Sequence, residues 1–233
     1  MNSPQAVMIT GAAGNLGQAV ARAFADRGAR LALVGRTTES LRALFGDDGE
    51  RQALLQADLR DGRQTAAALA AAVERFGRVD VLCNLAGGFR MGEAVHETSD
   101  ATWDFLMDLN VRSLLNMARA VVPHMIERGG GRIINVAAFG AQKGTARMGA
   151  YCASKSSVIR LTESMAAELR ERGINVNCVL PTTIDTPENR AAMPDANPAR
   201  WVAPSDLANV IVFLASDAAR AIHGAAIPVT GLS

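Results

Sequence analysis

Residues 6–17 read AVMITGAAGNLG: a short apolar run, then glycines at 11, 14 and 17. An amphipathic stretch, NLGQAVARAFADRG (15–28), continues from it. The run predicts a strand and the stretch a helix, so Gly11, Gly14, Asn15, Leu16 and Gly17 fall on the turn between them. Glycine at such a turn lets the backbone approach a pyrophosphate, which the amides opening the helix attract. This predicts a dinucleotide site at the first strand–helix turn. The alternative is a tight turn with a purely structural role.

The alternation then repeats along the chain. Apolar runs recur at RLALV (30–34), ALLQA (53–57), VDVLC (79–83), RIINVA (132–137), INVNCVL (174–180) and AIPV (226–229), separated by helical stretches such as RQTAAALAAAVERFG (63–77). Continuous rather than alternating apolar runs indicate strands covered on both faces. The expected fold is α/β: a doubly wound, seven-stranded parallel sheet of the Rossmann type flanked by helices, as a single domain over residues 1–233. Gly28, Gly77 and Gly173 each follow a helical stretch, as C-terminal caps do. The Ala-rich TAAALAAAV (65–73) reads as a helix packed closely on the sheet. Residues 185–204, DTPENRAAMPDANPARWVAP, carry four prolines and are expected to form an irregular substrate loop after the sixth strand.

Composition narrows the functional classes. Basic and acidic residues nearly balance, 24 against 23, which gives no electrostatic footprint for nucleic acid. No run of about 18 apolar residues is present, so a membrane-spanning helix is not expected. The N-terminus lacks the basic start and apolar run of a secretory signal. Cys83, Cys152 and Cys178 are scattered without a Cys-x-x-Cys pair, which suggests reduced, buried thiols and a cytoplasmic protein. The three histidines offer no metal-ligand spacing. Trp103 and Trp201 read as packing residues of helix interfaces or of the loop.

The chain has one tyrosine and two lysines among 24 basic residues, and Tyr151 and Lys155 stand four apart. On a helix they share a face. A lysine ammonium near a phenol lowers the phenol pKa from about 10 toward neutrality and lets it exchange protons with a substrate. A coincidental surface pair is the bland alternative. After the second strand the sequence reads VGRTT, with Gly35 and Arg36 where an acid would bind the ribose hydroxyls of NAD. A guanidinium there suits a 2′-phosphate, which favours NADP and leaves NAD open.

Taken together, the glycine turn, NLAG (84–87), Asn110, Tyr151-x-x-x-Lys155 and CVLPTTIDT (178–186) resemble the short-chain dehydrogenase/reductase family over essentially the whole chain. The resemblance implies Tyr151 as acid/base, Lys155 on the nicotinamide ribose and Asn110 holding a water in a proton relay. It implies cofactor contacts from Asn84, Ala86 and Gly87. Asp58 and Leu59 would flank the adenine, and Pro181, Thr183, Ile184 and Thr186 would surround the nicotinamide. It also implies a homodimer or homotetramer through the helices carrying Asn110 and Tyr151.

Three positions depart from the family pattern. Asn15 replaces a usual glycine, Thr182 replaces another, and Ala138 stands where the catalytic serine belongs. Losing such a donor typically costs about a hundred- to a thousandfold in rate. Three readings follow: a nucleotide sensor without turnover, a substitute donor such as Gln142 or Thr145, or a substrate that needs none. For the last, CNLAGGF (83–89), Ala138 and residues 179–194 are similar to the quinonoid dihydropteridine reductase branch. That similarity implies a flat, conjugated substrate against which Phe89 could pack.

Overall fold

The computed structural model describes residues 4–232. The strands are β1 (Ala6–Thr10), β2 (Arg30–Gly35), β3 (Gln52–Gln56), β4 (Val81–Asn84), β5 (Gly131–Val136), β6 (Ile174–Pro181) and β7 (Ala226–Val229). They form one sheet in the order β3-β2-β1-β4-β5-β6-β7, with every pairing parallel. The helices are α1 (Asn15–Ala25), α2 (Thr38–Phe45), α3 (Gly62–Phe76), α4 (Asp100–Met107), α5 (Ser113–Glu127), α6 (Gly149–Leu169), α7 (Pro187–Ala192) and α8 (Pro204–Leu214). The expected Rossmann-type α/β sheet is the observed one.

The apolar runs are continuous because alternate residues of each strand enter opposite cores. Met8, Leu82, Ile133 and Val176 pack beneath α3, α5 and α6. Val7, Ile9, Cys83, Ile134 and Val179 pack beneath α1 and α8. Ala68 and Ala72 of the Ala-rich helix are buried, which brings α3 close to the sheet. All three cysteines are buried and free.

Most boundaries shift by a residue or two from the apolar runs. β4 begins at Val81 rather than Val79, because Asp80 turns its carboxylate to the Ala6 amide (2.8 Å) and to Arg78. Residues 185–204 are more regular than expected. Thr186 caps α7 by accepting from the Asn189 amide, Pro187 occupies the first turn, and a 3₁₀ turn follows at Pro198–Arg200. Trp103 is 44% exposed, so it is not the packing residue anticipated.

The strand order reverses between β1 and β4, which opens a crevice at their C-terminal ends. Gly11 has φ +64°, and a Cβ there would lie 3.0 Å from the backbone of Ala86. A Cβ on Gly17 would collide with the carbonyl oxygens of Gly11 and Ala12. Thr37, Asp61 and Ser99 cap α2, α3 and α4 with their side chains, but α1 starts at Gly14 with no side-chain cap. Its first amides therefore have no side-chain cap. Gly17→Ala should therefore lose about 2–4 kcal/mol of stability in urea unfolding, since backbone rather than a movable side chain must yield.

Candidate active site

The cofactor-binding candidates lie at or just beyond the C-terminal ends of the strands, apart from Tyr151 and Lys155 on α6. Thr10 Oγ1, at the end of β1, accepts from the amides of Leu85 (3.1 Å) and Ala86 (3.2 Å) and fixes the segment after β4. Asn84 is buried and donates to Asn135 (2.9 Å), which donates to Thr162 on α6 (2.9 Å). Asn84 therefore braces the sheet. Asn15 donates to Glu188 of α7 (2.9 Å), joining the glycine turn to the segment after β6. Leu16 packs on the core beneath the turn.

At the other end of the crevice, Arg36 is exposed directly after β2. Asp58 is held by Arg60 through contacts of 2.9 and 2.7 Å, which keeps its carboxyl below the ordinary range, and the Arg36 charge adds to this. The Leu59 carbonyl accepts from Asn116 (2.9 Å). Pro181 ends β6, the Thr183 carbonyl accepts from the Val202 amide (2.9 Å), and that of Ile184 accepts from Asn189 (2.8 Å). A glycine-rich turn, a helix start without a side-chain cap and an exposed arginine beyond β2 are compatible with a dinucleotide.

The chemical residues meet where α6 crosses the ends of β4 and β5. Asn110 lies on a widened π-type turn, Asp108–Arg112, between α4 and α5. Its side-chain oxygen accepts from the Gly88 amide (2.8 Å). Its amide nitrogen donates to the Gly88 carbonyl (3.1 Å) and to Ser154 Oγ (2.9 Å). Ser154 in turn donates to the Tyr151 carbonyl (2.9 Å). A Cβ on Gly87 would lie 2.9 Å from Asn110 Oδ1 and 3.0 Å from Lys155 Nζ, so both groups border one small space.

Lys155 is 7% exposed and donates to the Val136 carbonyl (2.9 Å). Burial pulls its pKa down from 10.5 to about 8. Burial also pushes the Tyr151 phenol up to about 12. The sequence-based expectation of a lysine-lowered phenol is thus reversed: the ammonium bonds backbone instead of the phenol, and desolvation dominates both groups. The Phe89 ring, 54% exposed, meets the Tyr151 ring edge to face at 4.8 Å.

Ala138 is buried beside this site, at 6% exposure. Gln142 is exposed, with its amide turned to the Phe139 carbonyl (3.4 Å), and Thr145 is exposed on the same loop. Neither takes the serine's place by a bond to Tyr151. Thr10, Asn135, Ser154 and Thr162 went unselected in the sequence because their roles arise from tertiary neighbours. Thr10 had one signal, its place immediately before the glycine turn. Among the described residues no cluster of His, Cys, Asp or Glu could hold a metal ion, and no helix is long and apolar enough to cross a membrane.

A glycine turn at one end of a crevice, with a half-buried tyrosine and a buried lysine near the other, is the arrangement expected of a dinucleotide-dependent oxidoreductase. The family model described as short chain dehydrogenase matches residues 5–197. The chain belongs to that family and is an NAD(P)-dependent short-chain oxidoreductase. It is 36% identical over 237 residues to a D-threitol dehydrogenase of Mycolicibacterium smegmatis, covering 96% of this chain and 90% of the relative. A 3-ketoacyl-(acyl-carrier-protein) reductase from Brucella melitensis complexed with NADH superposes with a TM-score of 0.88 at 30% identity, covering 97% of each chain. A gluconate 5-dehydrogenase from Burkholderia cenocepacia in complex with NADP and tartrate gives 0.90 at 30% identity, covering 99% of this chain and 95% of that one.

The buried lysine has a measurable cost. Between pH 8 and 10.5 the unfolded chain binds more protons than the folded one, so this group makes stability rise with pH across that window. Below it, the full penalty of burying the charge is present. Lys155→Met should raise unfolding free energy at pH 7 by about 1–2 kcal/mol and flatten the rise between the two pKa values. Thermal denaturation across pH checks both.

Proposed function

We propose that the protein interconverts an alcohol and a carbonyl group of a small substrate, with Tyr151 as the proton-transfer residue. The observation that carries this reading is a half-buried tyrosine, packed on Phe89 and one helical turn from the buried Lys155, at the C-terminal ends of the strands. A bound nicotinamide dinucleotide supplies or accepts the hydride. In reduction, the substrate oxygen gains negative charge and takes the Tyr151 proton; a phenol with a raised pKa remains loaded as donor at neutral pH. In oxidation the phenolate takes the proton back. Lys155 remains largely cationic at pH 7 and supplies the positive field that this phenolate requires. Asn110, through Gly88 and Ser154, positions the backbone of the turn carrying Tyr151.

NADP is the preferred cofactor in this reading, on the strength of exposed Arg36 where an acid would serve NAD. The relatives named above act on polyol, sugar-acid and ketoacyl substrates, which supports the carbonyl reading with a substitute for the serine. The conjugated-pterin alternative rests on Ala138 and on the exposed Phe89 ring. The two part on one substitution. Ala138→Ser restores a donor to a developing alkoxide and should raise ketone turnover by about tenfold or more, given the usual value of such a donor. A pterin reductase would gain nothing.

Tyr151→Phe should bind NADPH normally and lose about a hundred- to ten-thousandfold in kcat. Retention of turnover would sink the proton-transfer reading. Arg36→Asp should raise the NADPH KM at least about tenfold and leave that for NADH nearly unchanged. Both follow from cofactor oxidation assays with a panel of ketones and quinonoid dihydropterin.

A further inference from the structure

The wall of the cleft next to Tyr151 contains two arginines that the reaction does not use. Arg90, Arg147, Glu93 and Met148 line the same pocket as Tyr151. Arg147 has φ +59°, the one non-glycine residue in the left-handed region among the described residues. Such a conformation is costly for a residue with a Cβ and persists where the surroundings hold it. Here a reciprocal clamp does so: the Gly92 amide donates to the Arg147 carbonyl (2.8 Å), and Arg147 Nη1 donates to the Gly92 carbonyl (3.1 Å). The clamp fixes where the guanidinium stands, two residues before Gly149, the first residue of α6.

Arg90 is fixed by different means. Its guanidinium lies 3.9 Å over the Phe105 ring, and Nη1 donates to the Ala101 carbonyl (3.2 Å). Among the described residues neither arginine forms an ion pair. Glu93 is the one acid in this wall; bonds from the Ser99 amide and the hydroxyls of Ser99 and Thr102, each at 3.1 Å, and the Arg90 charge hold its carboxyl below the ordinary range, so one negative charge stands against the two guanidinium groups. The lining is left with an excess of positive charge, and each guanidinium retains donors beyond the one it spends on backbone.

We propose that Arg147 and Arg90 form an anion subsite, and that the substrate carries a carboxylate in addition to the carbon that reacts at Tyr151. Guanidinium groups on the wall shared with Tyr151 have donors free for a carboxylate, which would anchor the molecule beside the phenol. This deepens the alcohol–carbonyl reading above and rests on it.

The test uses binding as well as turnover. The protein saturated with NADP is titrated with tartrate and with threitol, its neutral counterpart, and affinity is read from thermal shifts. Levulinate and methyl levulinate are then compared as substrates with NADPH. The acid of each pair should bind or react at least about tenfold better than the neutral member, the value of a charge-assisted contact. Arg147→Gly relieves the backbone strain and should hold or raise the melting temperature, while Arg147→Gly and Arg90→Gln should each erase most of the acid preference through affinity and KM rather than kcat. A purely structural role for these arginines would leave that preference in place. Equal treatment of acid and neutral partners by the unsubstituted protein, or an unchanged preference in both variants, overturns the subsite. Acid-selective binding without reduction of any carbonyl would uphold the subsite and overturn the reaction assigned above.

Discussion

One hydroxyl group, Thr10 Oγ1, takes hydrogen bonds from two consecutive amides, those of Leu85 and Ala86. This pins the chain leaving β4 against the chain leaving β1, at the place where the strand order reverses. Gly11 can follow only because it lacks a side chain facing Ala86. From the pinned segment a line of bonds runs onward: Gly88 to Asn110, Asn110 to Ser154, and Ser154 to the backbone of Tyr151. The glycine turn and the tyrosine come from opposite halves of the sequence, yet one chain of polar contacts sets the distance between them. Thr10, Asn110 and Ser154 are buried, so leaving any of these three unpaired carries a desolvation cost.

The lysine shows what the site demands of the fold. A chain that otherwise uses arginine almost throughout keeps a lysine at 155, where only a compact ammonium suits the space bordered by Gly87 and Asn110. Its one recorded hydrogen bond, to the Val136 carbonyl, compensates its burial incompletely, as its depressed pKa shows. The charge is retained against the interest of stability, which is expected of groups that serve chemistry.

Strands were legible because doubly covered strands need unbroken apolar runs, and no other element of this length does. Their ends were less so: at the start of β4 the Asp80 side chain takes the Ala6 amide, a bond that periodicity does not encode. The short helix α7 was hidden among the four prolines of residues 185–204, although Thr186 followed by Pro187 is a helix-start signal. Tyr151 and Lys155 could be found by spacing, but not their electrostatics: the sequence places them one turn apart, while the fold turns the ammonium toward Val136. Arg147 was invisible for a related reason. Its significance lies in a backbone angle imposed by Gly92, 55 residues away in sequence.

Tyr151 is the chain's single tyrosine. Any ultraviolet signature of tyrosinate formation in this protein therefore belongs to one phenol, with no background from others. The residue that packs against the Phe89 ring is thereby a built-in chromophore. Its ionisation can be followed optically in the native protein, without label or substitution, as ligands enter the crevice.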